Sequence, residues 1–173
     1  MKRSLIKQFI LLLYRISNRA EIEGIKVGVL GNKRAEALVI RNKVGAALTL
    51  MRQCDPRRYV YLKRDVKRIL VFGRPGYRGQ WHQSLALCEL TDAYVLDPRT
   101  TPAMLAATLA HEAMHARLYR WGIGYDYEKV VRVERICFKA SIAFARRLPL
   151  SERASRNYIT EETTRQINRD PAY

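Results

Sequence analysis

Cysteine is scarce in this sequence of 173 residues: Cys54, Cys88 and Cys137 lie far apart and form no CxxC pair. That spacing excludes a disulfide framework and a cysteine-rich zinc module, and it points to a reducing, cytoplasmic compartment. Long apolar runs are missing as well. The run Phe9-Ile10-Leu11-Leu12-Leu13-Tyr14 near the start is too short for a secretory core, has no A-x-A-like site behind it, and falls far below the roughly 20 residues needed to span a bilayer. Gly73, Pro75, Gly76 and Gly79 punctuate a loop, but their spacing matches neither the phosphate-binding loop nor the dinucleotide fingerprint. No repeat, low-complexity tract or long linker divides the chain. The expected organisation is a basic amphipathic helix over residues 1–20, one folded domain over 21–150 and a polar tail over 151–173.

Acid is the charge in short supply: 16 Asp and Glu stand against 32 Lys and Arg, a formal charge of +16. Residues 1–20 carry Lys2, Arg3, Lys7, Arg15 and Arg19 with no acid at all. Apolar residues at 5, 6, 9, 10, 12, 13 and 16 make a helical stripe there, which either docks on the protein's own core or lies on a membrane surface. A second basic stretch holds Arg57, Arg58, Lys63, Arg64, Lys67 and Arg68 among Tyr59 and Tyr61. Cations mixed with aromatics suit nucleic acid or an anionic membrane, and a solvated helix with packing tyrosines reads the same way.

With 48% hydrophobic residues, a chain of this length buries roughly 70% of its unfolded surface and needs no staples. Gly24–Leu30 reads as a strand, residues 35–52 as a helix ending before Asp55-Pro56, and 57–71 as another helix. Residues 81–96 suggest a hairpin broken at Thr91-Asp92. Thr100-Thr101-Pro102 is a helix start, with a hydroxyl cap and proline in the first turn, and this helix should run to about Arg120. A further helix starts at Asp126 and ends before Pro149. The expected fold class is α+β, mostly helical, with a small sheet packed on the helix that begins at Pro102.

That helix carries His111-Glu112-Ala113-Met114-His115. Four residues are a little over one turn, so both imidazoles leave the same face at the separation one Zn²⁺ requires, and Glu112 lies beside them, free to contact a metal-bound water. A third ligand is needed. Glu134 sits in the middle of an apolar stripe of Val130, Val131, Cys137, Phe138 and Ile142, where a carboxylate is costly unless a cation or an arginine such as Arg117 meets it. His82 is the reserve ligand. Cys137, one turn past Glu134, either packs in the core or brings a thiolate to the metal.

His111-Glu112-x-x-His115 followed by Glu134 after 18 intervening residues resembles the zincin metallopeptidases, in the branch whose third ligand is a glutamate. The resemblance covers roughly residues 85–148 and extends to small bacterial zincin-type proteins of unassigned role, with a similar Thr-Pro, His-Glu, His and Glu-x-x-Cys arrangement. Arg117 stands where that family usually has an apolar residue. The resemblance implies one zinc ion, a water whose pKa the metal lowers to about 7, and proton transfer through Glu112. It also implies an oxyanion donor, for which His82, Tyr125, Tyr127 and Arg132 are candidates, and an edge strand that aligns an extended peptide, supplied by Leu85–Leu90 or Tyr94–Leu96. Asp92, Asp97 and Asp126 are available to hold the imidazoles. The sequence thus carries two functional readings, a zinc-dependent peptidase and a metal-braced binding protein that works through its basic surface.

Overall fold

In the computed structural model, which describes residues 2–31, 33–73, 77–123 and 129–169, helix α1 (Lys2–Ile16) leads into an antiparallel pair, β1 (Asn18–Ile22) and β2 (Ile25–Val29). Glu23 and Gly24 join the two strands with positive φ at both positions, the backbone of a tight hairpin turn whose twist matches its strands. Helices α2 (Arg34–Cys54) and α3 (Pro56–Asp65) meet at Asp55. This fully buried carboxylate accepts from the Arg58 backbone N–H at 3.2 Å and pairs with the Arg58 and Arg147 guanidinium groups, the latter at 3.1 Å.

The single helix expected over 57–71 does not form. It stops at Asp65, Val66 turns extended, and Arg68–Phe72 becomes strand β3. Ile69, Leu70 and Val71 are all fully buried, because β3 is covered on both faces and lies parallel to its two neighbours, a setting that selects a continuous apolar run. The expected hairpin over 81–96 resolves differently too. Strand β4 (Gly79–His82) is followed by a 3₁₀ turn at Gln83–Leu85 and strand β5 (Leu87–Thr91), and Thr91 then caps a short helix, α4 (Asp92–Leu96).

Among the described residues five strands run in the order β1-β2-β3-β5-β4, with β2, β3 and β5 parallel and the outer strands antiparallel to their neighbours. The protein is α+β and mostly helical, as expected. One sheet face, with Val27, Ile69, Val71, Cys88 and Leu90, packs against α2, α3 and the long helix α5 (Pro102–Arg120). The other face, with Leu70 and Leu87, receives Ile10 and Tyr14 of α1. Helix α6 (Val130–Ala145) returns along α5. The stretch expected as a polar tail is instead helix α7 (Arg153–Arg169), which buries Ser155, Ile159 and Thr163 at successive four-residue steps.

Candidate metal centre

Thr101 caps α5 by accepting from the Met104 N–H at 3.2 Å, with Pro102 in the first turn. The buried face of α5 is rich in alanine: Ala103, Ala106, Ala107, Ala110, Ala113 and Ala116. Small side chains let α6 approach closely, and the Ser141 hydroxyl donates across the interface to the Ala107 carbonyl at 3.0 Å. The antiparallel register then climbs one turn at a time. Ala107 meets Ser141, the rings of His111 and Phe138 are 4.8 Å apart, and His115 meets Glu134.

That register brings three donors together. The Nε2 atoms of His111 and His115 are 3.0 Å apart, and the Glu134 carboxylate lies 3.2 Å from the first and 3.5 Å from the second. A tetrahedral ion with bonds of about 2.1 Å holds its ligands about 3.4 Å apart, so this triangle could accept zinc with little adjustment. The Cys137 sulfur belongs to the same cluster, within 4.8 Å of both ring nitrogens. Arg117 does not pair with Glu134: its guanidinium stacks on Tyr61 of α3 at 3.6 Å and on Trp121 at 4.4 Å.

The electrostatics of the cluster are those of a buried, tightly coupled set. Burial lowers the pKa of His111, but the hydrogen bond to Glu134 and the charges of Glu112 and Glu134 outweigh it, leaving the group above its ordinary value. For Glu134 burial works upward and the two imidazoles overcome it, holding the carboxyl at about 2. Burial raises Glu112, against the pull of both imidazoles and of a hydrogen bond from the Trp81 backbone N–H. Burial, with the nearby Glu134 and Glu112 charges, pushes the Cys137 thiol up.

Trp81 lies on β4, and β4 supplies the sheet edge next to the cluster. The strands expected in that role do not: Leu87–Thr91 is interior, between β3 and β4, and Tyr94–Leu96 is helical. Tyr77, Gly79, Gln80, Trp81 and Gln83 line a cleft of about 410 Å³ over His111, Glu112, His115 and Glu134. A second pocket, of about 360 Å³, opens on the other side of His111 and Glu112, with Met104, Phe138 and Ser141 on one wall and Tyr158, Ile159 and Glu162 of α7 on another. An Arg78–Glu162 contact of 3.4 Å ties the start of β4 to α7. Gly79 is pinched at this junction, since a Cβ there would stand 3.0 Å from Thr108 Cγ2 and 3.2 Å from Glu112 Oε1. Gly79→Ala is expected to cost roughly 1–3 kcal/mol through overpacking, read as a lower midpoint in urea denaturation.

The remaining expectations fare differently. His82 joins neither the donor cluster nor the lining of the cleft beside it. It projects to the opposite sheet face, where its Nε2 contacts the fully buried Glu89 at 2.7 Å, beside the Tyr77 hydroxyl that also donates to Glu89. A buried carboxylate demands partners, and this one takes the histidine. Arg132 is exposed on α6 and lines neither pocket. Tyr125, Tyr127 and Asp126 lie outside the described residues. Asp97 is held by Arg99, and Asp92 accepts from the Ala93 N–H.

In the second basic stretch Arg58 is paired with Asp55 and Arg64 with Asp65, while Tyr59 is buried and Tyr61 carries Arg57, Arg64 and Arg117. Lys63 and Lys67 are exposed, and Arg68 joins a different pocket. Neither tyrosine is left as an open stacking face. Comparison with protein-family models, with curated proteins and with solved structures found no match to this chain.

Proposed function

We propose that the protein is a zinc-dependent hydrolase acting on peptides. The observation that carries this reading is the convergence of His111, His115 and Glu134 at separations of 3.0–3.5 Å, with Glu112 beside them in a cleft bounded by a sheet edge. His111, His115 and Glu134 hold the metal, which when bound contributes Lewis acidity. An extended peptide adds to the free side of β4 through main-chain hydrogen bonds. Glu112 takes the proton of the attacking water and returns it to the leaving nitrogen. The Trp81 N–H ties that carboxylate to the same strand that aligns the substrate. The pocket walled by α7 receives a substrate side chain, so the C-terminal helix shapes specificity.

Cys137 favours a second reading, a closed structural site with four protein ligands and no room for water. Geometry favours the carboxylate as third ligand, since Glu134 lies 3.2 and 3.5 Å from the two imidazole nitrogens while the Cys137 sulfur belongs to a wider set spread over 4.8 Å. Elemental analysis decides the first step. Purified wild type should hold about one equivalent of zinc, and His111→Ala none. Folded wild type that takes up no zinc from excess metal would end the proposal, and zinc-loaded protein that cleaves nothing in a broad peptide library would favour the structural site.

A further inference from the structure

We propose that α1 and the basic pocket at its C-terminal end seat the protein on an anionic lipid surface. Ile10 and Tyr14 are buried in the sheet against Leu70, Leu85 and Leu87. Four other apolar residues of α1 do not follow them: Leu5, Phe9, Leu12 and Ile16 are 62%, 58%, 53% and 63% exposed. Steps of four, three and four residues put them on one side of the helix, a strip running its length. An amphipathic helix at a membrane interface buries such a strip among the headgroups and upper acyl chains while its axis lies flat. No described helix is long and apolar enough to cross a membrane, so seating on the surface is the form this contact takes.

Charge selects the kind of surface. Lys7 and Arg15 are exposed on the same helix, Lys2 and Arg3 begin it, and no acid occurs before Glu21. A separate feature of the fold agrees. Beside the end of α1 is a pocket of about 610 Å³ lined by Arg15, Arg19, Lys26 and Arg68, with Glu21 its one acid. These cations come from α1, β1, β2 and β3, so folding assembles them. Arg68 is held in place by donating to the Leu85 carbonyl at 3.1 Å and by resting over the Tyr14 ring at 5.6 Å. Four cations around a hollow at the foot of an apolar strip match a phosphate headgroup whose acyl chains meet the strip. Stable attachment takes two such signals, one apolar and one electrostatic.

Other occupants fit less well. Nucleic acid offers phosphates and base faces but nothing for four aliphatic and aromatic side chains in a row. A second copy related by a twofold axis would set the basic residues of α1 against themselves. The metal cluster lies on α5 and α6, across the sheet from α1, so a lipid-seated protein keeps its cleft open to water. This inference is independent of the metal reading.

Vesicle flotation of the full chain tests it, comparing pure phosphatidylcholine with about 30% phosphatidylglycerol at about 0.1 M salt. The wild type should float with the anionic vesicles only. Both Phe9→Glu/Leu12→Glu and Arg15→Glu/Arg19→Glu should weaken retention at least about tenfold, with unchanged circular dichroism, since all four positions are exposed. Phe9→Trp should add blue-shifted emission on anionic vesicles over that of Trp81 and Trp121. The proposal is overturned by absence of anionic retention, by equal retention of the Phe9→Glu/Leu12→Glu variant, by an unshifted Phe9→Trp signal, or by a wild-type dimer that this double variant dissolves.

Discussion

Glu112→Gln should keep its zinc and lose hydrolysis by about 10²–10⁴-fold, the usual contribution of a positioned general base. The two halves of this result come from different physics. Metal retention follows because Glu112 is not among the three donors that meet, and because glutamine has the same shape and a carbonyl oxygen that can still accept from the Trp81 N–H. Loss of turnover follows because the amide cannot accept a proton at neutral pH. The wild-type carboxylate is suited to that work: burial lifts its pKa above the ordinary value, toward the range in which a carboxylate both ionises and accepts protons efficiently. Peptide cleavage and metal content are to be measured on the same preparation. A variant that cleaves like the wild type removes Glu112 from the mechanism, and one that loses zinc makes it part of the metal's support.

The cluster was legible in the sequence because it is written in spacings that helices convert directly into geometry. His111 and His115 need only the helix repeat. Glu134 needed one further premise, that a carboxylate inside an apolar stripe has a cationic reason to be there; the helix register sets it beside the two imidazoles. What spacing does not encode is which strand reaches the sheet edge and which side chain a buried acid captures. Trp81 and His82 are neighbours in sequence, yet Trp81 lines the cleft and His82 is drawn to Glu89 on the other face, since successive residues of a strand point to opposite sides. The α3–β3 boundary was hidden for a related reason: a strand buried on both faces has no alternation to distinguish it from a helix. Helix α7 shows a narrow buried strip of Ser155, Ile159 and Thr163, too polar to betray a wall of the second pocket.

Zinc affinity should fall by about tenfold per pH unit for each imidazole that must shed a proton, as the solution is acidified through the raised pKa of His111. Before metal binds, His111 and Glu134 form an ion pair that stabilises the fold in a defined window. The Glu134 contribution is fully present above its ordinary value of 4.5 and is lost as pH falls toward about 2. That of His111 is present below its ordinary value of 6.5 and is lost as pH rises through its higher folded value. The metal-free protein therefore draws most from this pair between about 4.5 and 6.5. Zinc takes the place of the His111 proton, so its advantage over the metal-free form grows with pH up to the raised folded pKa of His111 and levels off above it. Glu134 remains ionised throughout and adds no proton dependence of its own. Competition against a chromophoric chelator at pH 5.5, 6.5 and 7.5, together with thermal unfolding with and without zinc, measures both effects. An affinity flat across that range would mean that no imidazole proton is displaced, and that the metal sits elsewhere than between these two rings.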